Sequence, residues 1–263
     1  MGTIATFSFF VYRNFIFKKN NTESVVAVPL WHGVVLIGVA LLSTLIPYLN
    51  LRVSVGEPIR VPVLLFNDAD YYYDRMQEIK DGYPFLGNPY FIEHRNDPPP
   101  AFFIADWMGA IPLLLGIPLM QVIYFNIIIW SIAFLGAAYL LLHQLRAPPS
   151  MTLFGAIFAY LELFSLLIRP VSMQIVFPFF LMALVAYAGW LYDPRSRGRQ
   201  IFWGVTAAAA ASLYTYSWQI ILVMFMVTGF VFLLIRRDQL SSLILPFSLF
   251  ALLIAPSIAM TVY

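Results

Sequence analysis

The reading of this chain turns on residues 67–103, "NDADYYYDRMQEIKDGYPFLGNPYFIEHRNDPPPAFF". The protein has 13 acidic residues in 263, and nine fall in or beside this stretch: Glu57, Asp68, Asp70, Asp74, Glu78, Asp81, Glu93, Asp97 and Asp106. The surrounding sequence is apolar. Hydrophobic residues make up 61% of the chain and charged residues 11%, with a mean hydropathy of +0.82. A soluble domain carries about 25% charged residues because its surface faces water.

The runs 29–50, 107–145, 147–161, 170–192, 200–235 and 239–263 contain no Asp, Glu, Lys or Arg. A helix crosses a bilayer with roughly 20 apolar residues, and only helices or closed barrels satisfy their backbone in lipid. Barrel strands alternate apolar and polar residues, which these runs do not. The sequence therefore predicts an all-α polytopic membrane protein of about seven transmembrane helices, near 29–49, 118–142, 150–168, 171–192, 201–215, 217–235 and 240–262. The run 200–235 would reach about 54 Å as one helix, so a break is expected at "LYTYSW", 213–218, among aromatics that favour the membrane interface.

Segment 98–118, "PPPAFFIADWMGAIPLLLGIP", decides the topology. If it spans, Arg146, Arg195, Arg197, Arg199, Arg236 and Arg237 lie opposite the basic N-terminal residues Arg13, Lys18 and Lys19. If it is interfacial or re-entrant, all of them share one side, as the positive-inside rule favours. Asp106 also argues against a full span. The expected organisation is a cytosolic or interfacial segment 1–28 and a transmembrane module 29–263, with 50–117 as its large outer loop. The module is expected in the cell envelope as a bacterial inner-membrane protein, with its N-terminus cytosolic. Cysteine is absent, which removes disulfides and thiolate metal sites. A net charge of +2 argues against a nucleic-acid partner.

Within the loop, "DADYYYDRMQEIKDG" reads as a helix capped by Asn67 or Asp68 and closed by Lys80 and Gly82. Asp70 and Asp74 share one face, and Tyr71 and Arg75 the next. Glu93, His94 and Asp97 stand just before a proline-started helix. Capping and the helix dipole also favour Asp at a helix start, so Asp68 and Asp70 are compatible with a structural role. Tyr71 to Tyr73 fit interface anchors or sugar-stacking platforms. Arg169 is the one basic residue left in the short outer loops. Glu162, two helical turns earlier, lies on nearly the same helix face; a structural Glu162–Arg169 contact is the alternative to a functional one.

The order of these features resembles the GT-C superfamily of polyprenyl-phosphate-dependent membrane glycosyltransferases, nearest to protein O-mannosyltransferase and aminoarabinose-transferase relatives. In that family an acidic motif opens a juxtamembrane helix in the first outer loop, the position of Asp68-Ala69-Asp70 here. A charged residue or His then precedes Pro-Pro and an interfacial helix ending in Gly, the outline of "HRNDPPPAFFIADWMGAIPLLLGIPL". Many relatives have adjacent Asp-Glu; Asp-x-Asp is more similar to the metal-binding acids of oligosaccharyltransferases. The chain resembles the seven-span module alone, as a truncated product or a fragment of a longer enzyme would.

The resemblance implies sugar transfer from a polyprenyl-phosphate donor to a glycan, lipid or protein acceptor at the non-cytosolic face, with inversion at the anomeric carbon. Asp68 is the expected general base, with Asp70 second. If a divalent metal is used, Asp68, Asp70 and Glu93 are hard oxygen ligands suited to Mg²⁺ or Mn²⁺. Arg169 is the candidate clamp for the leaving phosphate, with Tyr71, His94 and Glu162 as further substrate-binding candidates. Two other readings remain: a noncatalytic GT-C-like lipid-binding scaffold, and a lipid or solute transporter. A transporter predicts repeat symmetry and broken helices, and the sequence has no clear internal repeat.

Overall fold

Lipid offers no hydrogen bonds, so a backbone inside it must pair its own N–H and C=O groups. The computed structural model, which describes residues 29–55, 69–86, 103–169 and 171–262, has helices and no strand among those residues. In chain order they are α1 (Leu30–Val55), α2 (Ala69–Lys80), α3 (Ile104–Leu114), α4 (Leu119–Gln144), α5 (Pro149–Leu167), α6 (Ser172–Tyr192), α7 (Arg197–Leu213), α8 (Thr215–Ile235), a 3₁₀ segment (Arg237–Leu243) and α9 (Ile244–Val262).

Five stretches are long and apolar enough to cross a membrane: Leu119–Gln144, Pro149–Leu167, Met173–Tyr192, Tyr216–Ile235 and Arg237–Ala259. This is a helical membrane protein. The expectation of seven crossings meets that criterion only in part. The apolar portion assigned to α1, Leu30–Leu45, is shorter. α7 has 17 residues and opens on Arg197 and Arg199. The break expected at 213–218 falls at Tyr214, whose extended backbone (φ −154°, ψ 137°) separates α7 from α8. α3 has 11 residues, about 17 Å of helix, against a hydrocarbon core of about 30 Å; it is too short to span.

Polarity is distributed as lipid requires. Phe154, Phe158, Met226, Phe230 and Leu252 are exposed, whereas Asn126, Ser131, Thr152, Gln174 and Thr228 are buried. Between helices, where lipid tails give no hydrophobic drive, polar contacts and close packing hold the bundle. His32 Nδ1 lies 2.7 Å from the Tyr139 hydroxyl, joining α1 to α4, so this histidine is packed and bonded. Ser43 Oγ lies 2.6 Å from the Tyr160 hydroxyl, which donates to Ser131 Oγ at 3.0 Å; α1, α5 and α4 are thereby linked. Tyr187 and Thr228 join α6 to α8 at 2.7 Å.

α7 sits among α6, α8 and α9. Its run of small residues, "GVTAAAAASL", lets neighbouring backbones approach, and Ala207, Ala208, Ala210 and Ala211 are buried. Its Trp203 stacks on Trp190 of α6 and Phe225 of α8, with ring centroids 4.5 Å and 4.2 Å apart. α2 and α3 rest on the opposite half. α2 packs on α3, and α3 packs on α4 and α6, around a core that includes Met76, Leu113, Ile123 and Ile175.

Gly204 marks the closest approach of α7 to α9. A Cβ there would stand 2.8 Å from the Pro246 carbonyl oxygen and 3.0 Å from Pro246 Cα, both backbone atoms. Gly204→Ala is expected to force the two helices apart and destabilise the protein by about 1–3 kcal/mol. Thermal unfolding in detergent checks this; an unchanged midpoint would show that α9 does not pack this tightly on α7.

Candidate functional site

The loop sequence folds α2 by strong local signals. Gly82 (φ +96°) closes the helix: its N–H bonds to Ile79 O, and that of Tyr83 to Glu78 O. Such a left-handed C-terminal turn is glycine's role. α3 ends the same way, with Gly116 (φ +83°) bonding to Leu113 O and Ile117 to Pro112 O. Two short helices with fixed ends are thus available to dock on each other.

They dock through an ion pair. Arg75 donates from Nε to Asp106 Oδ1 at 3.0 Å and from Nη2 to Oδ2 at 2.8 Å. Its Nη1 donates to the Tyr71 hydroxyl at 2.9 Å, and the guanidinium carbon lies 5.2 Å from the Tyr71 ring centroid. Arg75 and Asp106 are 2% and 3% exposed. Burial lifts the Asp106 carboxyl above the ordinary carboxylate range, although the hydrogen bonds and charge of Arg75 pull it down. Burial draws the Arg75 guanidinium down, but its bonds to Asp106 and Tyr71 outweigh that and hold it above its usual value. Both charges are occupied with each other, so the pair positions α2 and carries no free acid or base.

Secondary contacts complete the docking. Trp107 Nε1 donates to Pro84 O at 2.9 Å, and Asn126 Nδ2 donates to Gly109 O at 2.9 Å. At Gly109 a Cβ would meet Met76 Sδ at 3.0 Å and Val171 Cγ2 at 3.2 Å. The absence of a side chain there allows α2, α3, α4 and the start of α6 to converge.

Asp70 is the second residue of α2; its side chain, like Asp68, Glu93 and His94, lies outside the described residues. Tyr71 is on α2, half-buried and bonded to Arg75. Arg169 follows the end of α5, and its guanidinium carbon lies 5.9 Å from the Tyr72 ring centroid. Tyr214, at the break between α7 and α8, belongs to the same neighbourhood. Its hydroxyl is pushed up by burial and by Tyr72, while Arg169 lowers it. Arg169 thus faces α2, the helix near whose start Asp70 lies. Val171, two residues on, has φ +59° and ψ −65°, a strained backbone for a β-branched residue, where the chain reverses into α6.

Glu162 is exposed on α5, and among the described residues no ion pair joins it to Arg169. The two are not brought together. No group of three or more His, Cys, Asp or Glu among the described residues could hold a metal. A groove of about 500 Å³ between α8 and α9, lined by Trp218, Phe250, Ala251 and Ile254 among others, is apolar and includes no residue of α2 or α3.

Sequence reasoning placed Arg75 beside Tyr71 but missed its pairing with Asp106. A signal was present: Asp106 is the one acid in an apolar segment, and Arg75 a base among acids, in the same loop.

Comparison with protein-family models, curated proteins and solved structures finds no match to this chain.

Removing one member of the buried pair leaves the other charge uncompensated, at a cost of about 3–5 kcal/mol. Arg75→Met and Asp106→Leu are each expected to destabilise the protein by that order, and the double variant to recover most of the loss. A double-mutant cycle on unfolding midpoints measures this. Additive losses would show that the two charges do not depend on each other.

Proposed function

We propose that the chain is a GT-C-type membrane glycosyltransferase, transferring a sugar from a polyprenyl-phosphate donor to a glycan, lipid or protein acceptor with inversion at the anomeric carbon. In this reading α1 and α7 join the five long apolar stretches to make seven crossings, and 50–117 faces away from the cytosol. The supporting observation is one juxtaposition: the guanidinium of Arg169 lies 5.9 Å from the ring of Tyr72, two residues along α2 from Asp70.

The donor's chemistry fits such a place. Its polyprenyl tail stays in lipid while its phosphate and sugar reach water, so transfer belongs at the interface, where α2 packs on the short helix α3. A carboxylate at the start of α2 takes the proton of the acceptor hydroxyl as that oxygen attacks the anomeric carbon. The sugar–phosphate bond breaks, and the leaving phosphate carries its charge to Arg169. Asp68 and Asp70 are the candidate bases. With Glu93 they are also hard oxygen donors for Mg²⁺ or Mn²⁺. His94 and Tyr71 remain substrate-binding candidates. For Glu162, its exposed position on α5 gives no support to a place beside Arg169.

Transfer from radiolabelled polyprenyl-phosphate sugars should be measured in membranes expressing wild type, Asp68→Asn, Asp70→Asn and Arg169→Gln at matched levels. Wild type is expected to transfer, and at least one Asp variant to lose about 100-fold or more in turnover, the scale of general-base catalysis. Arg169→Gln is expected to weaken donor use, with Arg169→Lys restoring part of it. Loss on chelation assigns the acids to a metal; indifference assigns them to base catalysis. Donor binding without transfer would favour the scaffold reading, and no binding to any donor would sink both.

A further inference from the structure

The end of the bundle where α4, α6 and α8 terminate and α7 begins carries a separate chemical signature. Arg146, Arg195, Arg197, Arg199, Arg236 and Arg237 lie there, against Asp193 and Asp238. Contacts tie the group together. Arg195 Nη2 pairs with Asp238 Oδ2 at 2.9 Å, with both side chains well exposed. Arg199 Nη1 donates to Gly189 O at 2.9 Å. Arg146, which holds a left-handed backbone (φ +64°), places its guanidinium carbon 5.1 Å from the Tyr192 ring centroid.

Two features make this more than a solvated rim. Each guanidinium has five N–H donors, and these contacts use few of them. Among the described residues the guanidinium groups of Arg197 and Arg236 make no hydrogen bond or ion pair, and both residues are exposed. α7 also opens on Ser196-Arg197-Gly198-Arg199 with no side-chain cap and no acid in its first turn. Cations at the positive end of a helix dipole are unfavourable, and an anion over that turn relieves both the dipole and the arginines.

Immediately below the arginines the surface is aliphatic: Leu145, Leu191, Ile201, Ile235 and Ile244 are exposed. A ligand matching both features has a phosphate joined to an acyl chain. A free phosphate or an acidic protein would leave the aliphatic residues uncovered. We propose that this end of the bundle binds the headgroups of anionic phospholipids, with Arg197 and Arg236 making direct phosphate contacts and the aliphatic residues meeting the acyl chains.

The test is lipid retention by the purified full chain, measured by native mass spectrometry with phosphatidylglycerol or phosphatidylcholine of identical acyl chains. Wild type is expected to retain phosphatidylglycerol preferentially. Arg197→Gln/Arg236→Gln, which removes no internal contact, should lose that preference by roughly fivefold per arginine; Arg197→Lys/Arg236→Lys should keep most of it. Should the Gln variant fail to fold, a salt series on wild type decides. Phosphatidylglycerol retention must fall as salt approaches about 1 M, where screening reaches about 3 Å, while phosphatidylcholine retention holds. Equal retention of the two lipids, salt-independent retention, or an undiminished preference in the Gln variant would overturn the proposal. So would displacement of phosphatidylglycerol by an equal concentration of glycerol phosphate, which would make the site one for soluble phosphate.

Discussion

Arg75 and Asp106 bring two opposite charges out of water between two short helices, and the position of α2 depends on that act. Desolvating each ion costs several kcal/mol, repaid only when the geometry is close to ideal. Here both carboxylate oxygens receive a guanidinium N–H and a third donor is taken by Tyr71. The pair specifies one register of α2 on α3, because sliding by a residue would leave two buried charges unpaired. Apolar packing through Met76 and Leu113 adds adhesion but tolerates small shifts far better than a bidentate pair does.

The same pair accounts for which charge of α2 is taken up internally. α2 holds Asp70, Asp74, Glu78, Arg75 and Lys80, and the one base in its middle is neutralised from α3. Had Arg75 been left to its own helix, it would lie one turn from Glu78 and could quench that acid. Drawing it inward to Asp106 keeps it away from the helix start. Arg169, arriving from a distant part of the chain, becomes the cation beside Tyr72. A positive group brought in across the bundle is positioned by α5 and α6 rather than by α2.

How much of this was legible in the sequence follows from the range of the interactions concerned. The break at Tyr214, the closure of α2 at Gly82 and the shortness of α3 are set by nearby residues, and local patterning locates them. The Tyr71–Arg75 contact is an i,i+4 pair and is equally local. The Arg75–Asp106 pair spans 31 positions; an isolated acid and an isolated base hint at it, but no local periodicity joins the two. Glu162 shows where local periodicity stops. Its seven-residue offset from Arg169 suggested one face, but α5 ends at Leu167. Once the helix stops, its periodicity no longer governs where Arg169 points. Among the seven expected crossings, α7 spends its first turn on arginines and fills its interior with alanine. It was identified by the absence of charge from residue 200 onward, which says little about how far a helix reaches across lipid.

The arginines at the far end obey a different logic from the single arginine beside α2. Arg169 lies against Tyr72 and near Tyr214, where surrounding protein limits the water around it and strengthens its electrostatic reach. Arg197 and Arg236 lie exposed, where water weakens each charge and only their number gives a field. A half-buried cation among protein groups suits recognition of one phosphate in one orientation. Several exposed cations above an aliphatic belt suit many exchanging headgroups. If both proposals hold, one chain handles phosphate in two ways, and the difference arises from burial: the same guanidinium is a selective contact where protein surrounds it and a mooring point where lipid and water do.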